Sequence, residues 1–210
     1  DGIRLRASAR TTAKFNPHWF FEGYYAYGTK SHRSYYDAKV TYSFNKPEYQ
    51  PIEFPIRTLS FESNKDVESP SDKYLVHNKD NIFMTFRPVK VEKMSFINRQ
   101  KLNFMWETDY GLATSVELRT ESNVPTGKLI YEKMDGSLVD KVRMTELIVG
   151  LDYRPGQSYV NSKQQRMAVN LDAPEFKITH TMGIQNFLGS DFNTNLTEVS
   201  VYKRFWLGSW

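Results

Sequence analysis

Apolar and polar side chains alternate along almost the whole of this chain, and that period of two limits its folds more than any other feature. In "IRLRASARTTAK" the small or apolar set is Ile3, Leu5, Ala7, Ala9, Thr11 and Ala13, with Arg4, Arg6, Ser8, Arg10, Thr12 and Lys14 between them. In "YYDAKVTYSF" it is Tyr36, Ala38, Val40, Tyr42 and Phe44, set against Tyr35, Asp37, Lys39, Thr41 and Ser43. Leu102, Phe104 and Trp106 repeat the rhythm, as do Leu112, Val116 and Leu118 opposite Ser115, Glu117, Arg119 and Glu121. It continues in Leu147, Val149, Leu151 and Tyr153, in Met167, Val169 and Leu171, and in Val199, Val201, Phe205 and Leu207. Successive side chains of a strand point to opposite faces, so each run reads as a half-buried strand, whereas the 3.6-residue period of a helix is almost nowhere found.

Turn chemistry separates the runs: "NP" at Asn16, "DYG" at Asp109, "NVPTG" at Asn123, "MDG" at Met134, "RPGQ" at Arg154, "DAP" at Asp172 and "GSDFNTN" at Gly189. The spacing predicts an all-β antiparallel meander of roughly twelve long strands, many about 9–11 residues or more, against ~5–6 for an ordinary soluble strand. Composition does not shift along the 210 residues, so residues 1–210 read as a single unit. Two longer polar connections interrupt the series, "NKPEYQPIE" from Asn45 and the stretch from Ser63 to Asp80, of which the second has the length of a functional loop.

Two environments use such strands. In a soluble sandwich or barrel the apolar face is the core and the charged face meets water. In an outer-membrane barrel apolar residues meet lipid and polar ones line a wet interior. The absence of any run of 18 apolar residues excludes a transmembrane helix and leaves membrane strands open. Aromatics make up 15% of the chain, with 13 Tyr, and crowd "WFFEGYYAY" at Trp19 to Tyr27 and the ends of later strands, as interfacial girdles would. A lipid-facing arginine costs ~2–4 kcal/mol at mid-bilayer, so in a barrel the charged rows must point inward. That assigns Arg4, Arg6, Arg10, Glu117, Arg119 and Glu121 to a lumen-facing polar row, with Ile3, Leu5, Ala7 and Ala9 on the lipid side. Glu146, Asp152 and Arg154 are candidates to pair with that row across a narrow lumen.

The catalytic inventory is thin. There is no Cys, which removes disulfides, thiolate metal sites and cysteine nucleophiles. His18, His32, His77 and His180 are scattered without zinc-site spacing, and His180 alternates with Phe176, Ile178 and Met182 on one face. Asp191, Asn193, Asn195 and Glu198 imitate the first half of a calcium loop, but Leu196 stands where that loop needs Gly and the acid comes too early, so a hairpin rich in Asp and Asn is the simpler reading. Basic and acidic residues, 28 and 24, are mixed along the chain without the basic blocks of a nucleic-acid footprint. No cofactor, metal or catalytic group is expected.

The blocks "IRLRASARTTAKFNPHWFFEGYYAYGTK", "YSFN", "FPIRTLSFES", "DNIFMTFR" and the run from "VNLDAPEFKITH" to "KRFWLGSW" resemble a large family of Gram-negative outer-membrane proteins. That family is named after a domain of unknown function that follows an N-terminal carboxypeptidase-regulatory-like domain. The resemblance spans essentially the whole chain and implies a membrane β-barrel, distantly similar to the surface-antigen type barrels of BamA and TamA. It implies too that this chain is an internal segment of a longer barrel protein, consistent with an Asp1 start that lacks a signal sequence. "ASA" at Ala7 stands where relatives are expected to be richer in glycine. No catalytic residue carries over.

The leading expectation is thus a barrel segment of the cell outer membrane with a non-enzymatic role in envelope assembly, export or transport, or anchoring of a periplasmic domain. Its partners would be the lipid bilayer of the outer membrane and other envelope proteins, without nucleic acid. A soluble β-sandwich or barrel binding a glycan or lipid, with Leu112, Val116, Leu118, Leu147, Val149 and Leu151 inside, is the alternative. An outer-membrane hydrolase, drawing on Asp72, His77, Asp80 and Asp109, is a further one. A segment without its closing strands should form an open, curled sheet with two free edges.

Overall fold

The structure, a computed structural model, describes residues 3–69, 93–133, 136–205 and 208. Long strands dominate it: β1 (Arg4–Arg10), β2 (Trp19–Gly28), β3 (Arg33–Ser43), β4 (Arg57–Glu68), β5 (Lys93–Glu107) and β6 (Leu112–Gly127) come first. Two short ribbons interrupt the remainder, β7 (Tyr131–Glu132) with β8 (Leu138–Val139), and β10 (Tyr159–Asn161) with β11 (Arg166–Ala168). The long strands β9 (Val142–Tyr153), β12 (Glu175–Gly183) and β13 (Thr194–Tyr202) complete the series, with a 3₁₀ turn at Phe187–Gly189. Among the described residues no helix is long and apolar enough to cross a membrane, a fact without bearing on strands.

The long strands form one sheet of nine in the order β1-β2-β3-β4-β5-β6-β9-β12-β13, every neighbouring pair antiparallel. Among the described residues β1 and β13 each have one neighbour, so the sheet is open at both edges. An odd number of alternating strands leaves β1 and β13 running in the same direction. The sheet is also curled. Arg4 on β1 reaches Asp66 on β4, Nη2 to Oδ1 at 2.9 Å. Three strand spacings of ~4.8 Å separate those backbones in a flat sheet, a gap that side chains standing off its surface cannot span.

Three expectations of the sequence need correction. Ser63 does not open a loop: Ser63–Glu68 is the second half of β4, and most of the rest of the expected functional loop, Pro70 to Asp80, lies outside the described residues. "NVPTG" is no turn but the end of β6. β9 pairs with β6 only as far as Asn123, opposite Val142, so Pro125 sits where β6 has a neighbour on one side and a missing N–H is tolerated. The Met167–Leu171 run contributes only the three-residue β11, outside the main sheet, which holds nine strands among the described residues.

Burial is inverted relative to a soluble protein. Among the described residues those least exposed to solvent are mostly polar: Thr41, Ser43, Thr58, Asn64, Asp66, Ser95, Glu107, Glu121, Asn123 and Glu146 are examples, against five hydrophobic ones. The register places Thr41, Ser60, Asn103 and Glu117 opposite one another along one face, and Val40, Phe61, Leu102 and Leu118 along the other. The apolar face is the open one.

The tight turn from Thr108 to Gly111 fixes the β5–β6 register. Gly111 sits at φ +87°, and a Cβ there would lie 2.4 Å from the Arg154 carbonyl oxygen. Gly111→Ala should therefore lower the unfolding midpoint in urea by an amount equivalent to roughly 1–3 kcal/mol. Gly156→Ala, at φ +73° with nothing within 4 Å of its Cβ position, should cost distinctly less; equal losses would show that contact with Arg154 is irrelevant.

Candidate functional site

The sheltered polar face is organised by ion pairs between strands. Arg99 on β5 bridges Glu121 on β6, 2.6 Å away, and Glu68 on β4, 3.3 Å away, while Asn123 donates to the other Glu121 oxygen at 2.7 Å. Arg119 meets Glu146 on β9 at 2.6 Å and Glu117 at 3.9 Å. Lys101 pairs with Glu62 at 3.0 Å, and Lys39 with Glu22 at 3.0 Å. Arg154 joins Asp152 and Glu175 at 2.6 and 2.9 Å. Each of these carboxylates thus meets a cation or several donors, the condition under which removing it from water is tolerable.

All six residues of the expected polar row fall on the strand positions of this face. Arg4 pairs with Asp66 and lies over the Tyr35 ring, 4.4 Å from its centroid, and Arg6 covers the Tyr24 ring at 3.9 Å. The Tyr24 hydroxyl donates to Asp66, which gathers β1, β2 and β4 onto one carboxylate. Arg10 and Arg6 border a hollow of about 450 Å³ together with Glu22, Tyr24 and Asp37. Glu117, Arg119 and Glu121 belong to the separate β5–β6–β9 network. The arginine row and the glutamate row are therefore not brought together. Arg119–Glu146 and Asp152–Arg154 pair between neighbouring strands or along one strand, not across an interior.

Asp66, Arg99 and, through Arg99, Glu68 hold these groups, and no motif in the sequence marks them as site residues. Their positions in the alternation mark their face, but only the register tells which of them meet.

A strap crosses this face at one end. The 21-residue connection from Arg154 to Pro174 carries the β10–β11 ribbon back towards the β3–β4 connection. Arg166 binds Glu107 through both nitrogens, 2.6 and 3.1 Å, and its guanidinium lies 3.8 Å from the Tyr159 ring centroid. Glu107 also accepts from the Ile56 backbone N–H at 2.8 Å. The Phe54 ring packs at a tilt against Tyr159, centroids 5.1 Å apart, its N–H donates to Asn161 Oδ1 at 3.3 Å, and Gln50 Nε2 donates to the Lys163 carbonyl at 3.3 Å. Arg154 anchors the start of the strap: desolvation opposes its charge, yet Tyr159, Asp152 and Glu175 beside it raise its pKa above the ordinary guanidinium value.

The opposite face is apolar and open. Leu59, Phe61, Leu102, Val116, Leu147, Val149, Leu151, Phe176 and Ile178 are all exposed. Leu112 and Leu118 are half-exposed. The soluble alternative needs these side chains inside, and they are not. Rings line one rim: Trp19 and Phe44 against Tyr42 at 5.1 and 5.2 Å, Phe44 against Phe104 and Trp106 at 6.2 and 6.0 Å, and Tyr153 against Phe176 at 6.4 Å. Phe20, Tyr24 and Tyr35 are exceptions to an aromatic girdle, since they lie on the polar face. From Trp19 to Tyr27 the open face of β2 runs about 27 Å along the strand, or ~20 Å of height at a barrel's usual tilt, near the ~25 Å lipid band of known barrels. Lys65, Asn98, Gln100, Thr120 and Ser122 then form a polar patch on the open face of β4–β6, beyond which Val67, Phe96 and Val124 make it apolar again.

The described histidines are dispersed. His18 Nδ1 contacts the Ser43 carbonyl at 2.8 Å, His32 Nδ1 the Tyr27 hydroxyl at 3.2 Å, and His180 Nδ1 the Thr197 hydroxyl at 2.8 Å on the open face. His77, Asp72 and Asp80 lie outside the described residues, and Asp109 is exposed at its turn, 3.8 Å from Arg57. Asp191 accepts from the Arg143 N–H at 2.7 Å and Asn193 from the Gln185 N–H at 2.8 Å, while Asn195 and Glu198 belong to β13. The Asp- and Asn-rich stretch is thus a connection running into a strand. Among the described residues no cluster of three His, Asp or Glu could hold a metal ion.

Compared with known proteins, residues 1–210 match the model of a family of unknown function (DUF5686), C-terminal domain. No curated protein and no solved structure matches.

Proposed function

This chain belongs to the family of unknown function (DUF5686), C-terminal domain, and on that premise we propose that it is barrel wall of the bacterial outer membrane. Its role there is non-enzymatic: export or transport, envelope assembly, or anchoring of a periplasmic domain. The observation that carries this reading is the inverted burial, with carboxylates and hydroxyls sheltered and leucines, valines and rings exposed. Water rewards the opposite arrangement, since each apolar Å² exposed costs about 25 cal/mol. Lipid removes that cost and penalises charges, most of which here sit on the other face. Aromatic rings at one rim add the interfacial anchors such a wall needs. The lipid bilayer is the partner of the open face, and other envelope proteins are partners of the rims. Several of the cations, Arg4, Arg99, Arg119 and Arg166 among them, are engaged by carboxylates, and basic and acidic residues are mixed along the chain, which argues against nucleic acid.

Fractionation tests the reading. The full-length protein should sediment with outer membranes, require detergent for extraction, and migrate faster on gels before boiling than after. Recovery in the soluble fraction without detergent would sink it.

A further inference from the structure

We propose that the Arg154–Pro174 strap is a plug whose β10–β11 ribbon is held across one mouth of the polar interior by a charged latch, Arg166 on Glu107. The proposal rests on the barrel reading and adds a barrier to it. The strap does not lie outside the wall. Glu107 occupies the polar-face position of β5, opposite Ala113, and is 4% exposed, so the arginine that reaches it enters from the interior side. The fastening spans the curl: a connection that leaves β9 and returns to β12 is bonded to the end of β5 and to the β3–β4 connection, several strands away.

The fastenings differ in kind. The tilted Phe54–Tyr159 ring contact and two 3.3 Å hydrogen bonds are neutral contacts. The Arg166–Glu107 pair is bidentate, with side chains only 14% and 6% exposed. A charge-assisted, two-pronged pair is the strongest contact of the set, and its loss leaves an acid under the strap held by the Ile56 N–H. Release of that one pair should therefore free the ribbon as a unit while the nine-stranded wall, whose ladders it does not share, stays paired. What the open mouth would admit is small hydrated solutes, since the surface uncovered is ionic.

The chain has no Cys, so engineered thiols are unique within it. Full-length protein in planar lipid bilayers should show low conductance to potassium chloride. Glu107→Gln and, independently, Arg166→Ala on the ribbon should raise it several-fold. Adding Gln50→Cys with Lys163→Cys to Arg166→Ala should return conductance to the low level when the disulfide forms, and dithiothreitol should raise it again. Conductance unchanged in both latch variants, or insensitive to the disulfide, overturns the plug while leaving the barrel intact. A latch variant that no longer migrates as a heat-modifiable barrel shows instead that the pair supports the wall, which also overturns it. Failure of the unmodified protein to enter bilayers at all sinks the barrel reading and the plug with it.

Discussion

Val116→Arg is expected to lower the stability of the protein in phosphatidylcholine vesicles by ~2–4 kcal/mol, the cost of an arginine on the lipid face near mid-bilayer. Val116 lies at the middle of the apolar stretch of β6, between Phe104 on β5 and Val149 on β9, and its side chain is exposed. A guanidinium there has neither water nor a carboxylate within reach, since the acids of β6 point to the other face. Gln100→Arg, two residues from Leu102 on the same face of β5 and inside the polar patch of Asn98, Thr120 and Ser122, should cost only ~0–1 kcal/mol, as for sites near the interface. Urea-induced unfolding from vesicles measures both. The comparison separates the environments sharply, because on a water-exposed surface replacing a valine by arginine changes stability by no more than ~0.5 kcal/mol. Equal, small effects at the two positions would place the whole face in water.

Why the faces were legible and the contacts were not follows from the geometry of strands. Alternation fixes side: Arg4, Arg6, Glu117, Arg119 and Glu121 share a face with Asp66, Arg99 and Glu146 because residue parity and antiparallel pairing force it. Partnership depends on register, which the turns set. "NVPTG" resembles a turn in every local respect, yet β6 runs through it because its ladder to β5 continues to Gly127 while β9 begins only at Val142. The same local chemistry made Ser63–Glu68 resemble a loop: Ser, Asn, Lys and Asp are poor strand formers, but Asn64 and Asp66 are sheltered and bonded to Asp37 and Arg4 on other strands. The strap was invisible for a further reason. "RPGQ" and "DAP" correctly mark its ends, but nothing in the order of residues says that Arg166 reaches Glu107, 59 positions away.

The ion-pair network is the second place where a large effect is expected. Arg99→Met removes the cation that bridges Glu121 and Glu68, whose side chains are 6% and 13% exposed. Two sheltered carboxylates then lose their shared counter-charge, and breaking such a pair by deleting one partner costs ~3–5 kcal/mol. The excess is the penalty of sheltering carboxylates without that cation and not the worth of the bridge. Adding Glu121→Gln and Glu68→Gln to Arg99→Met should therefore recover most of the loss, a coupling visible in a mutant cycle. Lys101→Met provides the contrast: its partner Glu62 is 22% exposed and the lysine 24%, so hydration takes over and the loss should stay within about 1 kcal/mol. If Arg99→Met proved as mild as Lys101→Met in the same vesicles, the polar face would have to be as wet as bulk solvent. The ion pairs would then be decoration on an open surface, and what organises the wall would have to be sought in its ladders alone.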